Sequence, residues 1–221
     1  MSEVSSGMRR LGKSTLIVEA MTVLAENSRA SMADIASAIG VGRTTLYRYF
    51  GDREALIAEV ARQGARMFTD ALLGARPHAG LGLEAVERIC AQLFTVPDVL
   101  TLMFADNPII TDDSFAEVER ERRIEAAGAD VSAGGDRSGV DPGGDAKDEG
   151  DPVEVIIRRG QGDGSIAQDV PVEWAAMYVF LTIGSGHLYD VSSRSGSRDP
   201  GNRAAALDLT IRAITKTLRP T

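Results

Sequence analysis

Residues 31–56, SMADIASAIGVGRTTLYRYFGDREAL, constrain the fold more than any other stretch of the chain. Ser31 stands where it can cap a helix, and Asp34, three residues on, can return a hydrogen bond to it. A helix is therefore expected to start here and to bury Ile35, Ala36 and Ile39. Gly40 falls where a helix end calls for a residue at positive φ, and Val41 can then fill the crevice before a second short helix over about Gly42–Tyr49. That helix offers Arg43, Thr44, Thr45, Tyr47, Arg48 and Tyr49 on its polar side and leaves Leu46 and Phe50 to anchor it. Two short helices joined by a glycine turn, the second polar outward, outline a helix-turn-helix whose second helix lies in a major groove.

The same residues resemble the motif of the TetR family of transcriptional regulators, T-x-x-x-I-A-x-x-x-G-V-S-x-x-T-L-Y-x-H-F-x-x-K-E-x-L. It stands here as Ser31, Ile35, Ala36, Gly40, Val41, Thr45, Leu46, Tyr47, Phe50, Glu54 and Leu56. Gly42 replaces the family's serine, Tyr49 its histidine and Arg53 its lysine. The resemblance implies an all-α chain with an N-terminal three-helix DNA-binding domain over residues 1–56, a connector helix over about 52–73 and a helical ligand-binding and dimerisation domain over 74–221. It also implies a homodimer that binds a palindromic double-stranded DNA operator, most simply as a repressor, and that a small-molecule effector releases it. No enzymatic activity and no cofactor are expected. Arg43, Thr44 and Thr45 are expected at base edges and Tyr47, Tyr49 and Arg53 at phosphates, with Ser31 and Arg48 beside them. Arg43 can take guanine O6 and N7 together, which discriminates by about 1–3 kcal/mol.

A net charge of −8 fits DNA binding only once the chain is divided. Residues 1–66 carry nine Lys/Arg against seven Asp/Glu, and residues 67–221 carry fifteen against twenty-five. A weakly basic module on an acidic body can neutralise phosphates locally while the acidic remainder faces away from the duplex.

Ahead of the motif, about Met8–Asn27 reads as an amphipathic helix with Leu11, Ile17, Met21 and Leu24 near one face. Arg9, Arg10 and Lys13 at its start suit phosphate or minor-groove contact. Gly7 to Ser14 also satisfies G-x-x-x-x-G-K-[ST], which raises the alternative of a nucleotide hydrolase using Lys13 and Ser14. That chemistry needs a buried strand ahead of the loop, and only MSEVSS precedes Gly7.

The connector helix is expected to start at Asp52 and to end before the helix breakers of GARPHAGLG. Beyond it lie helical patterns: LEAVERICAQLF, the apolar VLTLMF after Pro97, and a charged helix after Pro108 with Phe115, Val118 and Ile124 as its apolar stripe. Cys90 falls at core spacing within the first of these and is read as a packed small hydrophobe. Residues 128–152 hold seven glycines, seven acids and no aromatic, so a disordered insertion is expected, with an interaction adaptor as a further alternative function. Asp151 and Pro152 then suit the cap and first position of a helix.

The segment around Trp174–Leu181 is apolar on all sides, and the last helix is expected to line up Ala204, Leu207, Ile211, Ile214 and Leu218. These two helices are expected to pair with their copies in a four-helix bundle. Met103, Phe104, Trp174, Met177, Tyr178 and His187 are the candidate lining of an effector pocket. Two histidines and one cysteine make a transition-metal site an unlooked-for feature. No secretory signal or membrane-length apolar run is present, and a cytoplasmic protein is expected.

Overall fold

The computed structural model describes residues 12–132, 151–192 and 200–220. Within them the chain is all-helical: α1 Lys13–Glu26, α2 Met32–Ile39, α3 Arg43–Phe50, α4 Arg53–Gly74, α5 Gly82–Leu93, α6 Pro97–Phe104, α7 Asp112–Ser132, α8 Pro152–Gly162, α9 Val172–Ser192 and α10 Pro200–Leu218. Of the 128–152 tract, residues 128–132 continue α7, while Asp151 caps α8 by accepting from the Val153 amide at 2.8 Å and Pro152 opens that helix. Residues 133–150 lie outside the described residues, so the expected insertion is described only at its two ends.

The chain divides into two compact units. The first takes residues up to Phe68 together with Asp98–Glu119. Its core is built from the apolar stripes of α1 (Leu16, Ala20, Met21, Leu24), α2 (Ile35, Ala36), α3 (Leu46) and α4 (Leu56, Val60), all essentially inaccessible to solvent. Residues 98–119, which the sequence reading assigns to the C-terminal domain, pack here for identifiable reasons. Thr22 Oγ1 donates to Asp98 Oδ2 at 2.7 Å, and Phe68 meets Phe115 edge to face with centroids 5.3 Å apart. Gly64 has no side chain, and Ile110 occupies the space a Cβ would need.

The second unit takes Thr69–Pro97 and the chain from Arg120 onward. In it α5 crosses α8 so closely that a Cβ on Gly82 would strike the backbone of Gly160. The open amides of α5 are met from the turn after α8, since Gly82 N–H donates to Asp163 Oδ2 at 2.8 Å and Leu83 N–H to Ser165 Oγ at 3.1 Å. Hydrogen bonding from Ser165, then from the Gly82 and Ser165 amides, outweighs burial and holds the Asp163 carboxyl below its usual range. Cys90 is fully buried on α5, and burial pushes its thiol up to about 12, which leaves a packed and unreactive group.

α9 and α10 pack along their lengths around a polar knot. Asp190, wholly buried, accepts from Arg203 Nε at 3.2 Å and Nη2 at 3.0 Å, and Asn202 Nδ2 donates to the Asp190 backbone carbonyl at 3.0 Å. Arg203 Nη1 reaches on to the Phe94 carbonyl at 3.2 Å, so one guanidinium ties α9, α10 and the end of α5. The inward line of α10 is Ala206, Thr210, Ile214 and Leu218. Ala204 is exposed, and Leu207 and Ile211 are half-buried, so the expected stripe is turned partly outward. Thr210 displaces it because its hydroxyl donates to the Ala206 carbonyl at 2.8 Å, which lets a polar residue sit against side-chain-free Gly186. Ile124, expected in the α7 stripe, is 66% exposed.

Removing the carboxylate strands a guanidinium among packed helices. Asp190→Ala is therefore expected to destabilise the chain by about 3 kcal/mol in urea unfolding, whereas a cost below about 0.5 kcal/mol makes the knot dispensable.

Candidate nucleic-acid interface

Two capping systems and one arginine hold the α2–α3 corner. At the start of α2, Ser31 N–H donates to Asp34 Oδ2 at 2.9 Å and Asp34 N–H donates to Ser31 Oγ at 3.2 Å, a reciprocal capping box. The Ser31 hydroxyl also donates to Asp34 Oδ2 at 2.7 Å. The Ser31 hydroxyl and then its backbone amide lower the Asp34 carboxyl below its ordinary value, with the positive charge of Arg43 adding to them. At the end of α2, Gly40 adopts φ 79°, and its N–H reaches the Ala36 and Ser37 carbonyls. Val41 N–H returns to the Ala36 carbonyl at 3.0 Å, completing a Schellman closure, and the Val41 side chain is buried.

α3 then starts at Arg43 after Gly42, which has no side chain with which to cap it. Leu46 and Phe50 are buried and fix which side of α3 faces inward. Arg43, Thr44, Tyr47, Arg48 and Tyr49 are consequently exposed, and Thr45 is half-buried at their edge. The Arg48 guanidinium lies 5.3 Å from the Tyr49 ring centre. A short helix with donors and aromatics outward can do two things chemically: read acceptors on base edges and grip phosphate oxygens.

Arg53 occupies a different position from its neighbours. Its Nε donates to the Ala30 carbonyl at 2.9 Å and its Nη2 to the Ser28 carbonyl at 2.7 Å, so it braces the start of α4 against the turn between α1 and α2. Asp52 caps α4 through the Ala55 amide at 2.8 Å. Lys13 pairs with Glu59 of α4 at 2.7 Å and lies 5.8 Å from the Phe50 ring centre. The lysine that a nucleotide site would turn toward phosphate is thus engaged by a carboxylate. Arg9 and Arg10 lie outside the described residues.

The candidate pocket residues are not gathered in one place within either unit. Met103 and Phe104 belong to the first unit, half-buried on α6. In the second unit, Trp174 stacks on Tyr178 at 5.1 Å, and the Tyr178 hydroxyl donates to the Ala213 carbonyl at 3.2 Å. Trp174 and Met177 are 46% and 57% exposed, whereas His187 is buried at 1%. Trp174 and Met177 instead share the outer surface of α9 with Phe180, Leu181, Leu188 and Tyr189. Leu188 and Tyr189 escaped the sequence reading, although they follow Leu181 at the helical spacing of seven and eight. Among the described residues no cluster of metal-ligating side chains occurs, and no helix is long and apolar enough to cross a membrane.

Residues 16–60 match the family profile described as bacterial regulatory proteins, tetR family. Over 113 residues the chain is 29% identical to the HTH-type transcriptional repressor LfrR of Mycolicibacterium smegmatis, a match that spans 51% of this chain and 60% of the relative's length. The fold is similar to that of LfrR from Mycobacterium smegmatis in complex with proflavine, with a TM-score of 0.57 at 20% identity over 95% of this chain and 97% of that one. It is also similar to that of the ketosteroid transcriptional regulator KstR2 of Mycobacterium tuberculosis, with a TM-score of 0.64 at 12% identity over 98% and 100% of the two chains.

Ser31→Ala removes the cap on α2 and is expected to lower stability by about 1 kcal/mol in thermal unfolding. The same substitution should raise the Asp34 titration toward that of a free carboxylate. The wild-type contribution of Asp34 is present above the ordinary carboxylate value and lost as pH falls through its lower folded value. An unmoved Asp34 titration by NMR would contradict the capping box.

Proposed function

Because the chain belongs to the TetR family of bacterial regulatory proteins through its N-terminal module, a family of DNA-binding regulators rather than enzymes, we propose that it is a ligand-responsive repressor that binds a palindromic operator as a homodimer. The observation that carries this reading is the α3 surface. Its buried Leu46 and Phe50 leave Arg43, Thr44, Tyr47, Arg48 and Tyr49 outward on a helix held by a capping box and a Schellman closure. In this reading residues 1–56 are the DNA-binding domain, with Arg43, Thr44 and Thr45 at base edges and Tyr47 and Tyr49 at phosphates. Arg9, Arg10 and Lys13, the last by exchanging Glu59 for a phosphate, approach the neighbouring backbone, and Arg53 serves mainly as the brace its two carbonyl contacts describe.

The outer face of α9 supports the homodimer. Trp174, Met177, Leu181, Leu188 and Tyr189 are each between 46% and 57% exposed, and Leu209 of α10 is 46% exposed. An apolar ridge of this kind is covered in a stable protein, and a twofold copy of the same ridge is the self-complementary cover. Two α3 helices so related enter major grooves about 34–36 Å apart, which gives the operator its dyad. An effector held by the body favours a dimer whose α3 helices no longer match that spacing, and the operator is released. LfrR carries the name of a repressor and has been seen with proflavine, which supports repression and small-molecule control here.

Selection of bound fragments from genomic DNA tests the reading directly, with an inverted repeat as the expected product. Arg43→Ala is expected to weaken binding to those fragments by about tenfold or more while the circular dichroism spectrum is retained, and unchanged affinity refutes its base contact. Leu181→Arg is expected to yield monomers in sedimentation and to lose operator binding with them. A dimer that survives this change moves the interface elsewhere.

A further inference from the structure

Arg159 lies on α8, one turn before the helix ends, and its Nε and Nη2 are both shut off from solvent with no hydrogen-bond partner among the described residues. These atoms are the parallel donors along one edge of the guanidinium, the edge suited to two oxygens at once. Three other arginines of this chain fill that edge. Arg53 sets it on the carbonyls of Ser28 and Ala30, Arg88 on those of Ala75, Arg76 and Ala79, and Arg203 on the carboxylate of Asp190. Asp163, whose carboxyl feels the charge of Arg159, accepts instead from the amides of Gly82 and Ser165, so it balances the charge without bonding the edge. A guanidinium edge that is dry and unmet destabilises the fold that contains it.

The surroundings bear on what meets it. Val155 and Ile156 stand one turn before Arg159 on α8, and turn-spaced positions are neighbours on a helix surface. Ile156 is buried and Val155 is 41% exposed, so the hydrocarbon open to a ligand one turn before the charge is that of Val155.

We propose that Arg159 recognises the effector, and that the effector is a carboxylic acid with an apolar tail, its two oxygens taken side-on by Nε and Nη2. This assignment rests on the ligand-responsive reading above and names the ligand class for it. Carboxylates fit better than a single-oxygen anion because both donors are unmet and parallel. Arg159 here is a binding residue whose Nε and Nη2 bond no other element among the described residues.

Calorimetric titration and thermal unfolding of the full chain test the assignment, with decanoate as the acid and decanol and decyltrimethylammonium as matched neutral and cationic probes. Decanoate is expected to bind and to raise the melting temperature of the wild type, well ahead of the other two. In Arg159→Met its affinity should fall by at least about tenfold. Without ligand, Arg159→Met should melt no lower than the wild type, because the dry, unmet donor edge is gone and the unbranched stem is kept. A marked loss of stability in the unliganded variant would show a structural tie and overturn the proposal. So would decanoate binding that ignores the substitution, or a wild type that decanoate leaves unchanged. If decanol or the ammonium binds and releases the selected operator fragments while decanoate does not, the ligand response stands and the Arg159 assignment fails. Arg159-dependent decanoate binding that leaves operator affinity unchanged upholds the site and defeats the ligand-responsive reading instead.

Discussion

Two helices of eight residues each cannot stand alone in water, so the α2–α3 corner depends on backbone groups being satisfied at its bends. The Ser31–Asp34 exchange meets open amides at the start of α2, and the Gly40 and Val41 amides meet open carbonyls at its end. With both ends closed, the crossing of α2 and α3 is set by chain geometry, and Leu46 needs only to fill the space between them. The orientation of Arg43 follows from these bonds, although none of them touches its side chain.

The second unit solves the same problem differently. Its α9 and α10 are 21 and 19 residues long, and apolar contact alone leaves the sliding register of two such helices weakly specified. The Asp190–Arg203–Asn202 knot is directional and can be satisfied at one register, and Gly186 against Thr210 admits close approach at one height. α9 accordingly has two apolar faces with different fates. Ala175, Val179 and Ile183 are buried within the unit, and Trp174, Met177, Leu181 and Leu188 remain outside it.

Local chemistry was legible from the residues: the capping box, the glycine at positive φ, the Asp52 cap and the Asp151–Pro152 helix start each involve partners within a few positions. Contacts between distant segments were not. Arg53 reads as a phosphate ligand because the carbonyls it braces lie more than twenty residues away. An aromatic and methionine stripe reads equally as pocket, core or interface, since periodicity states that a face is apolar without saying what covers it. The α10 stripe was misaligned because hydropathy discounts Thr210, whose hydroxyl is satisfied within its own helix.

The stretch between α4 and α5 has the glycine and proline content of a slack tether, yet Arg88 draws the carbonyls of Ala75, Arg76 and Ala79 onto one guanidinium. Arg76 is held at φ 50°, an uncommon conformation for a residue with a side chain. The segment is therefore a bracket fastened from one side: three of its carbonyls between the end of α4 and Gly80 are held by a side chain of the helix that follows.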